Sequence, residues 1–213
     1  MARARRPDGN RRFWSRYAKL YDFEINRTSQ AAYQQMYRWM GSVLSPEMEV
    51  LEVATGTGLI ACHVARYVSS VQAIDFSPGM IAAANRKDVP DNVHFSLADA
   101  TALPFEDSRF DAAIISNALH IMPDPVLALA NIKRVLKPGG LLIAPNFSQG
   151  HINHLSWKIN AALLAIIGFE AHAKWTPEEY RAFISDNGFH VDRWQVLPAA
   201  FPLVYLEAHA VGE

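Results

Sequence analysis

The sequence predicts an α/β fold in which helices cover both faces of a mostly parallel sheet. Short apolar runs with many β-branched residues alternate with stretches of helical periodicity, which is typical of parallel strands joined by crossover helices. The last two runs, 191–197 and 203–210, are joined by a turn too short for a crossover, so they must pair antiparallel. A chain of 213 residues can bury a sizeable core, and one domain is expected.

Two amphipathic helices are predicted ahead of the sheet. Residues 13–22 and 29–44 each place aromatic and aliphatic side chains on one helical face. Residues 1–12 contain five arginines and one acid, which is typical of a solvated terminus; an arm for phosphates or an anionic surface is the alternative. We therefore divide the chain into a basic arm with a helical cap, residues 1–45, and a sheet-forming core, residues 46–213.

The sheet is predicted to begin with a strand at residues 50–53, followed by a turn containing Gly56 and Gly58 and then by a helix. Glycines allow a tight turn and a close approach of the backbone to a ligand, and the helix start presents free N–H groups. Gly56 to Ala61 also matches the G-x-G-x-x-G/A dinucleotide fingerprint, with Asp75 at the spacing that ribose binding needs. The turn by itself therefore leaves a dinucleotide and other adenosine cofactors open.

Three acids accompany the first three predicted strands. Glu52 lies inside the first strand, where a carboxylate can serve a cationic ligand. Asp75 ends the second strand, 71–74, at the sheet edge where open α/β folds bind ligands, and it can accept bonds from both ribose hydroxyls. Asp99 follows the third strand, 93–97, where it can meet an adenine edge.

Two of these acids also have a structural interpretation. Asp75 can cap the next helix, although Ser77 is better suited to that role. Asp99 can form an Asx turn into Thr101 instead of binding adenine together with the N–H of Ala100.

The fourth predicted strand, 110–116, is followed by Asn117 and His120 at the same edge of the sheet as the glycine turn. A helix over 124–136 then leads to the fifth strand, 141–144. The strand ends therefore place an amide and an imidazole beside the three acids.

An apolar helical insert is predicted at about residues 150–170, before a helix capped by Thr176 and Glu179. The insert is too short to span a membrane. Its apolar character indicates an apolar or aromatic substrate or contact with a membrane surface, and plain core packing is the alternative. No metal site is predicted, because neither cysteines nor clustered carboxylates accompany the histidines of this region, which are His151, His154 and His172.

Five segments between residues 50 and 146 together carry a family resemblance. They read Val-Leu-Glu-Val-Ala-Thr-Gly-Thr-Gly, Val-Gln-Ala-Ile-Asp-Phe-Ser-Pro-Gly-Met-Ile, Ala-Asp-Ala-Thr-Ala-Leu-Pro-Phe, Phe-Asp-Ala-Ala-Ile-Ile-Ser-Asn-Ala-Leu-His and Leu-Lys-Pro-Gly-Gly-Leu-Leu-Ile. In this order they resemble class I S-adenosylmethionine-dependent methyltransferases of type 11, the group with the ubiquinone and menaquinone biosynthesis C-methyltransferases. The resemblance implies a Rossmann-like domain with a seven-stranded, mostly parallel sheet, an antiparallel C-terminal strand and an N-terminal helical lid.

The resemblance also implies S-adenosyl-L-methionine as cofactor and S-adenosyl-L-homocysteine as product. Gly56 and Gly58 would lie against the methionine portion, Glu52 would hold the loop or reach the amino group through water, and Asp75 would take the ribose. Ala54 stands where many relatives have glycine, and it is small enough that cofactor binding is expected to survive. The expected cofactor-binding residues are Tyr17, Glu52, Ala54, Thr55, Gly56, Gly58, Asp75, Phe76, Met80, Asp99, Ala100 and Asn117.

Methyl transfer needs a general base only if the substrate nucleophile holds a proton at neutral pH. His120 is the first candidate, because its ordinary pKa of about 6.5 suits a base near neutrality. A structural or cofactor-shaping histidine is the alternative. Tyr21 and His151 are the other candidates.

The predicted function is methyl transfer to a small, apolar or aromatic molecule at oxygen, nitrogen or carbon. The alternatives are a quinone-precursor or phospholipid methyltransferase at a membrane surface, a non-catalytic cofactor-binding or scaffold subunit, and a short nicotinamide-dependent oxidoreductase. The antiparallel hairpin at the end of the chain disfavours the oxidoreductase, because it leaves no room for a second mononucleotide-binding half.

Charge and cysteine content exclude further classes. The net charge is -1, and no basic field lies beyond the first dozen residues, so nucleic acid is not an expected partner. The chain reads Asn-Ala-Leu-His after the fourth strand, rather than the Asn/Asp-Pro-Pro-Tyr/Phe of amino-group DNA and RNA methyltransferases. The single cysteine, Cys62, cannot form an internal disulfide, so we expect a reducing, cytoplasmic location. The basic arm and the apolar insert leave peripheral membrane contact open.

Overall fold

The computed structural model describes residues 11–18, 29–148, 172–199 and 202–212. The predicted features that lie outside these residues are residues 1–10 of the basic arm, the candidate base Tyr21, the histidines His151 and His154, and the apolar insert at about 150–170.

One twisted layer of strands forms the centre of the fold. The order β3–β2–β1–β4–β5 is parallel, and the antiparallel hairpin of β7 and β8 joins the sheet where β8 pairs with β5. This arrangement confirms the predicted mostly parallel sheet with an antiparallel C-terminal end. The strands are β1 Glu49–Val53, β2 Ser70–Asp75, β3 Val93–Leu97, β4 Phe110–Ile115, β5 Leu136–Ile143, β6 Asn146–Phe147, β7 Phe189–Leu197 and β8 Leu203–Ala210.

The sheet has eight strands where the sequence predicts seven, because the short strand β6 follows β5 beyond the predicted fifth strand. β5 pairs with the end of β8 and β6 pairs with its beginning, so both lie along the same edge of β8. Pro145 separates them, because proline has no N–H for the ladder. β5 also begins at Leu136 rather than at 141, and its pairing with β4 is irregular between Phe110 and Ala112.

Helices cover both faces of the sheet. They are α1 over residues 11–18, α2 Gln30–Val43, α3 Leu59–Val64, α4 Pro78–Ala84, α5 Pro125–Val135 and α6 Pro177–Asp186, with 3-10 turns at Ala65–Tyr67 and Leu119–Ile121. Thr176 and Glu179 form the predicted capping box of α6. Ser77 caps α4 by accepting a hydrogen bond from the Met80 N–H at 3.3 Å. No helix among the described residues has the length and apolar character to span a membrane.

Alternate side chains of each strand point to opposite faces and build two core clusters. Leu51 and Ile115 pack with α5 and α6 on one face, whereas Val50 and Ile114 pack with α2 and α3 on the other. Helix α2 therefore packs directly on the sheet.

Helix α1 lies over the carboxyl end of β2. The hydroxyl oxygens of Ser15 and Ser77 are 2.8 Å apart, and a Cβ at Gly79 would lie 2.5 Å from the Cα of Ser15. The predicted lid residue Tyr17 is half-buried in this segment and stacks on Phe13. This packing puts the described part of the N-terminal cap beside the strand ends that carry the predicted site.

Candidate cofactor and active site

The glycine turn after β1 is fastened to Asp75 at the end of β2. The Gly56 N–H donates to Oδ2 of Asp75 at 2.8 Å, and the Ser77 N–H donates to Oδ1 at the same distance. Because Ser77 is the cap of α4, the cap interpretation of Asp75 does not hold. One carboxylate thus joins the glycine turn to the start of α4.

Asp75 is 6% exposed, and burial is the main influence on its charge. Burial raises the pKa of Asp75 to about 6, against the backbone hydrogen bonds from Ser77, Gly56 and Phe76, which lower it. The carboxylate is therefore mostly ionised at neutral pH, as an acceptor for ligand hydroxyls must be.

Glu52 lies beneath the glycine turn and is almost completely buried. The Thr55 hydroxyl donates to its Oε2. Burial raises the pKa of Glu52 to about 8, so the side chain is protonated at neutral pH in this structure. The surrounding pocket is lined by Tyr33, Glu52, Ala54, Thr55, Leu59, Ile60 and Ser116.

Two polar atoms beside this pocket are buried without a hydrogen-bond partner among the described residues. They are the hydroxyl oxygen of Ser116 and Oδ1 of Asn117, directly after β4. The other side of the Asn117 amide is fixed, because its Nδ2 donates to the Tyr33 hydroxyl at 3.1 Å. Buried polar groups in native proteins normally find a partner, so this pair indicates a place for a polar ligand group.

The backbone conformation of the turn favours glycine at positions 56 and 58. Gly56 and Gly58 have φ of 60° and 77°, in the left-handed region that favours glycine. A Cβ at Gly58 would also overlap the ring of Phe95. The residue at position 58 therefore has no room for a side chain.

Ala54 has the same kind of backbone, with φ of 56°, although it is not glycine. A left-handed conformation costs an alanine about 1–2 kcal/mol, whereas the extra freedom of an unfolded glycine costs about 0.4–1 kcal/mol. We expect Ala54→Gly to raise the free energy of unfolding by up to about 1 kcal/mol, measured by urea denaturation. The control is Ala61→Gly inside α3, which should lower it by about 1 kcal/mol. Equal destabilisation by both changes would contradict the strain at position 54.

The residues expected at the adenine end lie along the ends of β2 and β3. Oδ1 of Asp99 accepts from the N–H and the hydroxyl of Thr101, both at 2.8 Å, so the Asx turn is present. Met80 is buried and Phe76 and Ala100 are half-buried. Leu97, which pairs with Asp75 in the sheet, is 51% exposed and offers an apolar surface that the sequence analysis did not single out.

His120 lies in the 3-10 turn after β4 and is held by a buried amide. Its Nδ1 is 2.9 Å from Oδ1 of Asn146, and its carbonyl accepts from the N–H groups of His172 and Ala173. Burial lowers the pKa of His120, and the bond to Asn146 opposes this only in part. The imidazole is therefore neutral at neutral pH.

Three polar residues of this region are not predicted from the sequence. In the sequence pattern Tyr33 belongs to an apolar helix face, and Ser116 is the last residue of a strand. Asn146 follows β5 and belongs to none of the motifs. A polar residue at the carboxyl end of a parallel strand is the signal that could have found Ser116 and Asn146.

A family model describes the segment that contains this geometry. Residues 51–144 match a methyltransferase domain family. The matched segment runs from β1 through the glycine turn, Asp75 and Asn117 to the end of β5. Over these residues the chain is similar to a methyltransferase domain. The matched segment contains Glu52, Gly56 and Asp75.

A curated relative extends the similarity beyond the domain. The chain is 39% identical over 150 residues to the demethylmenaquinone methyltransferase of Renibacterium salmoninarum, which covers 68% of this chain and 61% of the relative. The chain thus spans about three fifths of the length of that relative.

Solved structures share the fold of this chain. A S-adenosylmethionine-dependent methyltransferase of Methanosarcina mazei superposes with a TM-score of 0.66 at 25% identity, covering 81% of this chain and 96% of that one. The [4+2]-cyclase SpnF superposes with a TM-score of 0.69 at 23% identity, covering 86% and 83%. Because a cyclase has the same fold, the reaction must be argued from the site.

Proposed function

We propose that this protein transfers the methyl group of S-adenosylmethionine to a small, apolar or aromatic molecule. The observation that carries the proposal is the polar cradle at the carboxyl ends of β1, β2 and β4. There the N–H of Gly56 is bound to Asp75, and the buried Glu52 lies next to the unpartnered hydroxyl of Ser116.

The residues of the cradle fit the cofactor in polarity. Glu52, Ser116 and Asn117 would hold the amino-acid end, since a carboxyl group, a hydroxyl and an amide oxygen suit an ammonium group. Asp75 would accept from the ribose hydroxyls, and Leu97 offers an apolar surface to the adenine. When bound, S-adenosylmethionine supplies an electrophilic methyl group and a neutral thioether as leaving group.

The protein's own part in the reaction is positioning, exclusion of water and removal of a proton. His120 is neutral and lies just after β4, so it is the described residue best suited to accept a proton from a phenol or an acidic carbon. The proton moves to the imidazole, and the electron pair of the broken O–H or C–H bond stays on the substrate as the nucleophile.

We propose an aromatic substrate, with quinone precursors as the first group to test. The similarity to a demethylmenaquinone methyltransferase supports this choice. A quinol also has the protonated nucleophile for which a histidine base is useful. The alternative within this proposal is that the protein methylates its substrate at a membrane surface.

Transfer of label from S-adenosylmethionine with a labelled methyl group tests the function. We expect product with phenols or quinone precursors and at least a 100-fold lower kcat for His120→Ala. His94→Ala is the control, because His94 is exposed on β3 and should leave the rate unchanged. Cofactor binding without transfer to any of these substrates would instead favour a scaffold or a different reaction.

Flotation with vesicles distinguishes action at a membrane surface from action on a substrate in solution. Binding to vesicles of anionic phospholipid, and its loss at high salt, would support the membrane-surface alternative. Absence from the floated fraction at low salt would favour a substrate taken from solution.

A further inference from the structure

A buried amide, Asn146, contacts one of the two ring nitrogens of the candidate base His120. Asn146, in β6, is 1% exposed, and its Oδ1 lies 2.9 Å from Nδ1 of His120. Among the described residues, Nε2 of His120 has no hydrogen-bond partner. The sequence motifs do not include Asn146, and its role requires an explanation because buried amides are costly unless they are bonded.

The orientation of the Asn146 amide follows from its second bond. Its Nδ2 lies 3.0 Å from the carbonyl oxygen of Phe147, which can only accept a hydrogen bond, so Nδ2 must be the donor there. Oδ1 therefore faces His120 and can only accept. Because burial keeps the imidazole neutral, its single proton must lie on Nδ1, and Nε2 keeps its lone pair.

We propose that Asn146 is a positioning residue that holds His120 in the Nδ1–H tautomer and so leaves Nε2 free to accept the substrate proton. The catalytic purpose of this tautomer rests on the proposed function. The tautomer itself can be measured in the absence of any substrate.

The geometry gives Asn146 a role that a general packing residue would not have. The bond fixes the plane of the ring, while the carbonyl of His120 is anchored by the N–H groups of His172 and Ala173. The backbone and the Nδ1 side of the ring are thus both fixed, and Nε2 is the basic atom that no described residue engages. A substrate whose O–H or C–H proton is taken by Nε2 makes the imidazole a cation, which the amide oxygen then stabilises.

The test is the imidazole nitrogen spectrum of protein labelled with ¹⁵N-histidine, with the His120 signals assigned by their loss in His120→Gln. We expect the Nδ1–H pattern in the unliganded protein at pH 7.5. In Asn146→Ala, we expect a mixed pattern or the Nε2–H pattern. A wild-type Nε2–H pattern, or an unchanged Nδ1–H pattern in Asn146→Ala, would overturn the inference.

Kinetic measurements separate positioning from folding. We expect Asn146→Ala to lower kcat about 10- to 100-fold with little change in the affinity for S-adenosylmethionine, because the imidazole loses the acceptor that orients it. Ser148→Ala is the matched control, since it removes another buried side-chain bond nearby, to the Pro202 carbonyl. Equal loss of kcat in Asn146→Ala and Ser148→Ala would contradict a positioning role. If cofactor binding is absent, the proposed function fails while the tautomer result still decides this inference.

Discussion

Asp75→Asn is expected to weaken the binding of S-adenosylmethionine by about 100-fold or more. The carboxylate accepts from the N–H groups of Gly56 and Ser77, and a hydrogen bond to a charged group contributes about 1.5–3 kcal/mol. An asparagine can accept only through one oxygen, so one backbone N–H would face the NH₂ group. The same change removes the charged acceptor proposed for the ribose. Calorimetric titration at pH 7.5, well above the pKa of Asp75, measures the loss.

The control for this prediction is Asp107→Asn. Asp107 has a side chain that is 74% exposed and pairs with Arg134 on the surface, so its neutralisation should leave cofactor affinity unchanged. Binding by Asp75→Asn within about threefold of the wild type, at equal folded fraction, would exclude Asp75 from the cofactor site.

Glu52→Gln is expected to make the free protein more stable than the wild type at alkaline pH. The folded protein keeps the proton of Glu52 up to about pH 8, whereas the ordinary pKa is 4.5. Between these values the folded state binds more protons than the unfolded chain, so this contribution to stability is full below pH 4.5 and is lost as the pH rises to 8. Each pKa unit corresponds to about 1.4 kcal/mol, so the wild type loses several kcal/mol over this window and Glu52→Gln does not.

Urea denaturation at a series of pH values between 5 and 9 measures the difference between the two proteins. Asp75 has a raised pKa in both of them, so its own pH dependence cancels in the comparison. Glu47→Gln, on the surface, should follow the wild-type curve. A stability difference between wild type and Glu52→Gln that does not grow with pH would show that Glu52 is already charged in the folded protein.

The fold was predictable because strong local patterns agree with the long-range pairing. The strand at Val93–Leu97 and the hairpin strand at Leu203–Ala210 have the predicted bounds, since apolar runs and turn residues mark both ends. The short strand β6 was not predicted, because it depends on how the chain after Pro145 pairs with β8. The hydrophobic periodicity of a segment does not specify which distant strand it pairs with.

The arrangement of the candidate site was predictable only around the glycine turn and the ends of β1 and β2. Glu52, Gly56 and Asp75 are brought together as expected. The pairing of Asn146 with His120 and of Tyr33 with Asn117 could not be derived, because each joins residues 26 or 84 positions apart. The left-handed backbone of Ala54 was also hidden, since alanine gives no signal for a positive φ.

The central claim is that the cradle binds S-adenosylmethionine, and calorimetric titration of the purified protein tests it most directly. We expect saturable binding of S-adenosylmethionine and of S-adenosylhomocysteine, both weakened in Asp75→Asn, and no binding of NADH. Binding of NADH, or no binding of either sulfur compound by a folded protein, would contradict the account.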